Sequence, residues 1–473
     1  MNILHVFPIP KDIYGKEEDL KDQGFSFSYL IGYISNHVDF EIKSRVVAIE
    51  TYQSMPDFQP DIVAITAMTF NYTNAVKIAA KAKEMGAQVI IGGCHISALP
   101  RHLTKDMDVG VIGEGEETYL ELLNLYHQGK WAPHYFHEVK GIVFRTSDSN
   151  LYITPPRPLI KNLDMVGHPN RKIVPLTCST KAALITARGC AYQCIYCSQT
   201  RFWQSKIRFH SPEYVIKEIE NIYNFSKARD ITIYDPIFLI NKKRLRAIIE
   251  LWEKHPLYGH IKFGCLGRAN LIDNEMAELA VRMGIHTAAI GFESNNKESL
   301  YYLKGGSVTI EDNQRAYDIL SKHKIHVSAG IIIGAPMETE QQIMDTYYFI
   351  KKNKLISGEV GHLVSIPGTP LWDYAIKRGL VSEDMDFLKI GAKKLDEDTI
   401  FLSEKVAPEK MIMLYNMFER LLKRRVFFRR VKRWKSYIYK NPFLLIKKSL
   451  KLAKQLIKTK KVLTTGGKRN RQT

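Results

Sequence analysis

Residues 185–200 read ITARGCAYQCIYCSQT and place three cysteines, Cys190, Cys194 and Cys197, in the spacing CxxxCxxC. The stretch is predicted to be the loop after a barrel strand, where barrel folds keep their active sites. Three thiolates ligate three irons of a [4Fe-4S] cluster, whereas structural zinc and electron-transfer clusters usually take four protein ligands. The spacing therefore predicts a catalytic cluster with one open iron. A zinc knuckle or grouped core thiols are the alternatives.

Apolar strand-like segments alternate with amphipathic helical stretches from Ala182 onward. The six segments are AALITA, ITIYD, IKFGCL, TAAIGFE, VSAGIIIG and GEVGHLV. Ser211, followed by Pro212 and Glu213, predicts the first barrel helix, with the hydroxyl as N-cap and proline at the first helical position. The pattern predicts an α/β fold, a partial (β/α)6 barrel over residues 181–404.

The front of the chain shows a second alternating pattern. Its strand-like segments are NILHVF, DIVAIT, QVIIGG and VGVIG, and a helix with one apolar face is predicted over Asn74–Met85. These segments predict a Rossmann-like domain with a parallel doubly wound sheet over residues 1–150. Residues 151–180 contain Pro155, Pro156 and Pro158, which interrupt regular structure and predict a linker.

Length and cysteine usage limit the class of protein. A chain of 473 residues exceeds what one core normally serves, and 45% hydrophobic residues are ample for burial. The cysteines outside the triad, Cys94, Cys178 and Cys265, are expected to be buried thiols rather than disulfide partners. The N-terminus lacks the pattern of a secretory signal, and no apolar stretch is long enough to span a membrane. A cytoplasmic protein is expected.

The net charge of +19 comes from the tail, because residues 420–473 contain 20 Lys and Arg and no Asp or Glu. The first 419 residues have a net charge of −1. Residues 405–473 are predicted to be a basic helical region, in which Phe443–Ile457 separates an apolar face from a lysine face. An interfacial helix, in peripheral contact with the inner membrane face, is expected. The alternatives are a solvated helix face or a disordered end. Nucleic-acid binding is the least favoured alternative.

With its cysteine spacing and downstream barrel pattern, the chain resembles the radical S-adenosylmethionine (SAM) superfamily, whose open iron chelates the amino and carboxylate groups of SAM. Tyr196 precedes the last cysteine, where that family has an aromatic residue near the adenine. The stretch GIIIGAPME at residues 330–338 matches the family's GxIxGxxE pattern. The resemblance implies adenine contacts from Gly330, Ile332 and Gly334.

The resemblance implies further SAM contacts after two other strands. Glu293 and Ser294 stand where such enzymes bind the ribose or the methionyl end, with loop capping as the alternative. The family's Gly-Gly-Glu contact after the second strand is absent, because ITIYDPIF occupies its place, and Asp235 is the candidate substitute. Arg208 and Arg268 are candidates to pair with carboxylates of SAM or substrate, or to form surface salt bridges.

The stretches VIIGGCHISALPRHL and DVGVIGEGEETYLELL resemble the cobalamin-binding domain fused to one large radical SAM subfamily. The implied cobalamin contacts are Thr66, Met68, Thr69, Gly92, Gly93, His95, Ser97, Gly113, Glu114, Gly115 and Glu116. A glycine pair after a strand would suit a nucleotide-binding or ligand-free Rossmann domain as well. No DxHxxG motif follows the first strand, so the lower cobalt face is expected to lack histidine, and His95 is expected to be a polar loop residue rather than a cobalt ligand.

The resemblance implies a [4Fe-4S] cluster, SAM and cobalamin as cofactors. A 5′-deoxyadenosyl radical would abstract hydrogen from an unactivated carbon, which then takes a methyl group from methylcobalamin. A non-methylating oxidation, cyclisation or rearrangement is the alternative, and a methylthiotransferase is disfavoured because its front domain would need three more cysteines. The expected partners are a small substrate, with a lipid or isoprenoid as a candidate, and a reducing flavodoxin or ferredoxin.

Overall fold

The structure of the chain is a computed structural model. It describes residues 1–9, 25–49, 58–173, 181–355, 357–391 and 395–440. Two units are distinguished by their internal contacts, residues 1–416 and residues 417–473. Cys178, part of the predicted linker and the predicted tail helix at Phe443–Ile457 lie outside the described residues.

The front of the chain forms a seven-stranded sheet in the order β2-β1-β3-β4-β5-β6-β7. Its strands are β1 (Asn2–Pro8), β2 (Lys43–Ile49), β3 (Ile62–Thr66), β4 (Gln88–Gly92), β5 (Val109–Val111), β6 (Ile142–Arg145) and β7 (Leu151–Ile153). Its helices are α1 (Phe25–Ser35), α2 (Tyr72–Glu84), α3 (Cys94–Ala98), α4 (Glu116–His127) and α5 (Pro133–Phe136). The predicted helix at Asn74–Met85 is confirmed as α2, which buries Ala75, Ile78 and Ala79.

The strands of the front sheet bury side chains on both faces, as expected where helices cover a parallel sheet. Leu4 and Val6 of β1 belong to one apolar cluster, which includes the buried face of α2. Ile3 belongs to a second cluster, together with Leu122 of α4. The alternation along β1 therefore places this strand in the middle of a three-layer domain.

The expectation of a purely parallel front sheet is corrected at its last two strands. β6 pairs with β5 and β7 pairs with β6, both antiparallel. β7, at the start of the predicted linker, thus extends the sheet instead. Pro155, Pro156 and Pro158 follow β7, where the chain needs no further ladder hydrogen bonds.

The second half forms a six-stranded sheet in the order β15-β14-β13-β12-β11-β8, with every neighbouring pair parallel. Its strands are β8 (Lys181–Leu184), β11 (Asp230–Ile233), β12 (Lys262–Gly267), β13 (Ile285–Glu293), β14 (His326–Ile333) and β15 (Ser357–His362), and the short strands β9 (Ala187–Arg188) and β10 (Arg208–Phe209) pair separately. The six predicted strands and the α/β fold class, with a partial barrel after the front domain, are confirmed.

The helices of the second half are α6 (Gln199–Phe202), α7 (Pro212–Ser226), α8 (Lys242–Trp252), α9 (Asn274–Met283), α10 (Lys297–Lys304), α11 (Ile310–Lys322), α12 (Glu340–Lys352), α13 (Pro370–Lys377) and α14 (Pro408–Lys440). Ser211 caps α7 as predicted, since its hydroxyl accepts a hydrogen bond from the Tyr214 backbone N–H. Among the described residues, no helix combines the length and apolarity needed to cross a bilayer.

Candidate active site

The three cysteines lie on the loop that joins β9 to α6. Gly189 begins the loop with φ of +93°, and a Cβ there would collide with the carbonyl oxygen of Lys206. Only glycine suits that combination of backbone conformation and close approach. The loop is tied to α10 by the backbone hydrogen bond from Ile195 to the carbonyl of Leu303, at 3.2 Å. Its first turn is closed by the Cys197 N–H, which donates to the Cys194 carbonyl at 3.1 Å.

A cavity of about 530 Å³, here called the cluster cavity, opens beside this loop. All three cysteines line it, together with Tyr196 and Arg268. Arg268 donates from Nη1 to the sulfur of Cys194 at 3.4 Å, and its guanidinium carbon lies 3.9 Å from the centre of the Tyr192 ring. Its buried Nε has no hydrogen-bond partner among the described residues. A buried donor without a partner points to a ligand that would accept from it.

The chemistry of the three thiols suits a cluster. Burial raises the pKa of the Cys190 thiol, and burial together with the neighbouring Cys194 raises that of Cys197 to about 11. The described residues contain no group of three His, Cys, Asp or Glu side chains that converges on a single metal ion. A polynuclear cluster takes each thiolate on a different iron and neutralises the crowded sulfurs. Three cysteine thiols that line one cavity are the donor set of a [4Fe-4S] cluster with one open iron, so the residues present fit that cluster.

Glu293 projects into the same cavity from the end of β13. Its φ is +59°, which is rare for a residue other than glycine and suggests a functional constraint. Its carboxylate lies 3.2 Å from Nζ of Lys304. Burial and the adjacent Glu293 raise the pKa of Tyr196. Sequence reasoning missed Lys304, whose position at the end of α10 is set by the fold and not by a motif.

The other predicted SAM contacts are divided between the cavity and its surroundings. Gly330 lines the cluster cavity. Gly334 directly follows β14, has a φ of +89° and donates from its N–H to the Glu338 carboxylate at 2.7 Å. Ile332 packs against the apolar core. Ser294 is fully buried, with its hydroxyl 3.1 Å from that of Thr346. In this structure Ser294 is thus part of the packing behind the cavity wall.

Asp235 is also turned away from the cluster cavity. It is fully buried, and its carboxylate accepts backbone hydrogen bonds from Thr186 at 2.6 Å and Ala187 at 3.0 Å. The Thr186 hydroxyl donates to the same carboxylate. In this structure the oxygens of Asp235, the candidate substitute for the Gly-Gly-Glu contact, are engaged by the chain that leads into the cysteine loop.

A second cavity of about 370 Å³, here called the front cavity, lies at the carboxyl edge of the front sheet. The predicted cobalamin residues on its wall are Thr66, Gly92, Gly93, Gly113, Glu114, Gly115 and Glu116. A neighbouring outer cavity of about 250 Å³ is lined by Thr69 and Ser97. Both cavities are bordered by Gly113, Glu114 and Phe202, so a ligand larger than either cavity could occupy both.

The glycine pair makes different contacts at its two positions. A Cβ on Gly93, at φ of +101°, would lie 2.5 Å from the Ala67 carbonyl oxygen. A Cβ on Gly92 would find its nearest neighbour at 3.8 Å, on Val111. Gly93 is therefore required by the turn, while Gly92 leaves open space at the cavity wall. This open edge fits the close approach of a large cofactor such as cobalamin.

Two predicted cobalamin contacts lie away from the cavity walls. His95 is fully buried in α3, stacks on Tyr72 at 3.9 Å and lies 3.1 Å from His102 through its Nε2. Burial lowers the pKa of His95 to about 3, so the ring is neutral. The backbone N–H of Met68 donates to the Asn71 side chain at 2.8 Å. His95 is corrected from a loop donor to a core residue, because its ring nitrogens are engaged inside the domain.

The front and cluster cavities share part of their walls. Gln199, Tyr234 and Pro236 line both. Arg188 and Gly189, which lead into the cysteine loop, also line the front cavity. The two predicted cofactor sites therefore adjoin. Sequence reasoning did not find Tyr234 or Arg188, because neither the shared wall nor the partners of Arg188 can be seen in a local motif.

Comparison with known proteins agrees with this geometry. The model of the radical SAM superfamily matches residues 184–350, and that of the B12 binding domain matches residues 18–123. An uncharacterized methyltransferase of Pyrococcus horikoshii is 28% identical over 398 residues, which are 80% of this chain and 84% of that protein. The anaerobic magnesium-protoporphyrin IX monomethyl ester cyclase of Cereibacter sphaeroides is 26% identical over 69% of this chain, but only 54% of the cyclase is covered.

Solved structures extend the comparison to the fold. The radical S-adenosylmethionine methyltransferase TsrM from Kitasatospora setae, determined with cobalamin and a [4Fe-4S] cluster bound, matches with a TM-score of 0.64. The match covers 80% of this chain and 78% of TsrM at 16% identity, so it shows a common fold. The order of the two domains, the three cysteines and the two adjoining cavities agree with both family matches. The chain thus carries a B12-binding domain in front of a radical SAM domain.

Proposed function

We propose that this enzyme is a cobalamin-dependent radical SAM methyltransferase that methylates an unactivated carbon of a small molecule. The observation that carries the proposal is the wall shared by the front and cluster cavities, formed by Gln199, Tyr234 and Pro236. When bound, the cluster and SAM supply a hydrogen-abstracting radical, and cobalamin supplies the methyl group. A substrate placed against the shared wall would be within reach of both cofactor sites.

The residues of the chain have distinct roles in this proposal. Cys190, Cys194 and Cys197 hold the cluster. Arg268 offers its unpartnered Nε to a carboxylate, and a guanidinium suits the carboxylate of SAM. Glu293, held beside Lys304, accepts hydrogen bonds from the polar part of SAM. The open edge at Gly92 receives cobalamin.

The walls of the cluster cavity favour a substrate with an apolar surface. Ile237, Leu266, Ala289 and Ile290 line it together with the charged residues. Apolar walls exclude water from a radical and bury apolar substrate surface. A lipid or isoprenoid is the substrate class that we propose to test first.

Two partners complete the proposal. The cluster needs an electron donor, and a flavodoxin or ferredoxin would serve. Helix α14 exposes Phe427 and Phe428, with 61% and 60% of their surface accessible, beside Arg424 and Arg425. Aromatic and basic residues together on one helix are typical of contact with an anionic membrane surface. We therefore propose a cytoplasmic enzyme in peripheral contact with the membrane.

The relatives favour a second candidate function, because one of them is a cyclase rather than a methyltransferase. In that alternative the substrate radical is oxidised, cyclised or rearranged without gaining a methyl group. The two functions differ in their consumption of SAM. Methylation uses one SAM as oxidant and another as methyl donor, whereas the alternative produces 5′-deoxyadenosine without S-adenosylhomocysteine.

The test uses anaerobic, reconstituted full-length enzyme, hydroxocobalamin, a chemical reductant and SAM labelled in its methyl group. Isoprenoids and membrane lipids are screened as substrates, with the Cys194→Ala variant as the control. The expected result is a labelled product with 5′-deoxyadenosine and S-adenosylhomocysteine formed in step with it. Turnover of a substrate with deoxyadenosine alone, and without transfer of label, would overturn the methyltransferase proposal in favour of the alternative.

A further inference from the structure

Four buried charges join the front domain to the start of the cysteine loop. Arg188 donates from Nη1 to Glu114 at 2.9 Å and from Nη2 to Glu116 at 2.6 Å. Arg208 donates from Nη1 to the second oxygen of Glu114 at 2.7 Å. The side chains are only 5% to 12% exposed, and their charges balance. This set of four side chains is called the buried quartet below.

The quartet connects two functional elements. Glu114 lies in the turn between β5 and α4, Glu116 is the first residue of α4, and both line the front cavity. Arg188 stands two residues before Cys190 and pairs with Arg208 across the ribbon formed by β9 and β10. A displacement of the turn would therefore be transmitted through ion pairs to the backbone that enters the cysteine loop.

Both carboxylates of the quartet accept hydrogen bonds from the protein itself. Glu114 accepts a third hydrogen bond, at 2.9 Å, from the backbone N–H of Ile160. Burial works to raise the pKa of Glu116, but the ion pair with Arg188 outweighs this and holds the pKa below its usual value. Removing one member would leave a buried charge without its partner, which is strongly unfavourable. Both oxygens of Glu114 and Oε1 of Glu116 are thus bound by groups of the protein itself.

We propose that Arg188 is a positioning residue, which couples occupancy of the front cavity to the geometry of the cluster loop through Glu114 and Glu116. The inference rests on the proposed function, since it requires both cofactor sites. It assigns the GEGE turn a role in communication between the sites, rather than direct ligation of cobalamin by its carboxylates. Because coupling between two sites is reciprocal, the cluster must in turn change the affinity for cobalamin.

The test measures the Kd of hydroxocobalamin, by absorbance titration, for the full-length protein with and without the reconstituted cluster. In the wild type the two Kd values are expected to differ by about fivefold or more, the lower end of typical coupling between sites. Glu116→Gln keeps the shape of the side chain but removes the charge, and is expected to reduce the difference to less than about twofold. Glu121→Gln is the matched control, because this carboxylate lies on the same helix and pairs with Arg157 at the surface.

Arg188→Lys provides a second variant if Glu116→Gln fails to fold. A lysine retains the charge but cannot donate to both carboxylates in the fixed geometry of a guanidinium, so the coupling should again be lost. Equal Kd values in the wild type with and without the cluster would overturn the inference. A Kd ratio in either variant that equals the wild-type ratio would also overturn it. If the ratio is preserved while both affinities fall, the substituted side chain is a direct cobalamin contact instead. Failure of the wild type to bind iron or cobalamin would instead contradict the proposed function.

Discussion

Asp235 binds Thr186, the residue four positions before Cys190, by accepting its backbone N–H at 2.6 Å. The same carboxylate accepts the backbone N–H of Ala187 at 3.0 Å. Asp235, two residues after the end of β11, thus holds the backbone that runs from the neighbouring strand β8 toward the cysteine loop. Asp235 acts on the cluster site through the backbone and does not itself contact the cluster cavity.

Asp235→Asn should weaken this anchor. Both backbone N–H groups donate to Oδ1, and the Thr186 hydroxyl donates to Oδ2. An asparagine that keeps its oxygen at Oδ1 therefore places an amide donor where the hydroxyl had an acceptor. A cost of about 1–3 kcal/mol in the free energy of unfolding is expected, together with a lower iron content after reconstitution. Denaturant unfolding and iron analysis measure the two effects. The exposed Asp398→Asn is the control, and equal behaviour of the two variants would contradict the anchoring role.

The cysteine triad should be essential for the cluster and the other thiols should not. Cys194→Ala is expected to abolish SAM cleavage and the absorbance of the cluster, because only two thiolates remain. The wild type should hold about four irons per chain. Cys265→Ala is the matched control, since Cys265 is buried in β12. Loss of the cluster in the control, with retention in the triad variant, would refute the assignment.

The two glycines of the front cavity should respond differently to substitution. Gly93→Ala forces a side chain into a positive φ and toward the Ala67 carbonyl, so destabilisation of about 1–3 kcal/mol is expected. Gly92→Leu should leave the thermal unfolding temperature nearly unchanged, because the space around its Cβ is open. Its side chain should nevertheless block cobalamin, as measured by absorbance titration. Tight binding by a folded Gly92→Leu protein would place cobalamin elsewhere.

Several parts of the fold could be predicted from the sequence because they depend on local patterns. The six barrel strands and the buried face of α2 repeat at the periods of their secondary structure, and the three cysteines form a short local motif. The strands β6 and β7 were not predicted, because segments of four and three residues carry too little periodicity. The pairing of β6 with β5, and of β7 with β6, comes from the tertiary structure.

The residues of the site likewise divide into those that a local motif predicts and those that only the tertiary structure brings together. The three cysteines could be recognised as a set of cluster ligands because they lie within eight positions of one another in the sequence. The partners of Arg188 are 74 and 72 residues away along the chain, so nothing local to the motif announces them. The contact of Asp235 with Thr186 could not be predicted either, because a position after a strand does not reveal the direction of the side chain.

His95 should make stability depend on pH. Burial, with a smaller contribution from His102, lowers the folded-state pKa to about 3, whereas the unfolded chain has the ordinary value of about 6.5. Because the folded value is the lower one, the unfolded state gains the proton first as the pH falls. Stability is therefore lost from about pH 6.5 downward, with a contribution of about 2 kcal/mol at pH 5.

The measurement is the free energy of unfolding between pH 7 and pH 5. His95→Gln removes the titrating group, so the variant should lose less stability over this interval than the wild type. The exposed His260→Gln serves as the control and should retain the wild-type slope. An unchanged slope in His95→Gln would show that this ring does not control the acid sensitivity.

The proposed membrane contact of helix α14 should depend on its two exposed phenylalanines and on the basic residues beside them. Phe427 and Phe428 are each more than half exposed, and basic residues surround them in sequence. Each basic residue near an anionic surface contributes about 1 kcal/mol, and insertion of two phenyl rings adds apolar burial. The double variant Phe427→Ala, Phe428→Ala should therefore bind vesicles containing phosphatidylglycerol about tenfold more weakly than the wild type in sedimentation assays.

Tyr301→Ala is the control, because Tyr301 is similarly exposed on α10. Salt should weaken the binding of the wild type, since screening reduces the charge contribution. Equal vesicle binding by the double variant and the wild type would remove the aromatic pair from the contact, and equal binding to vesicles of phosphatidylcholine alone would contradict the role of the basic residues.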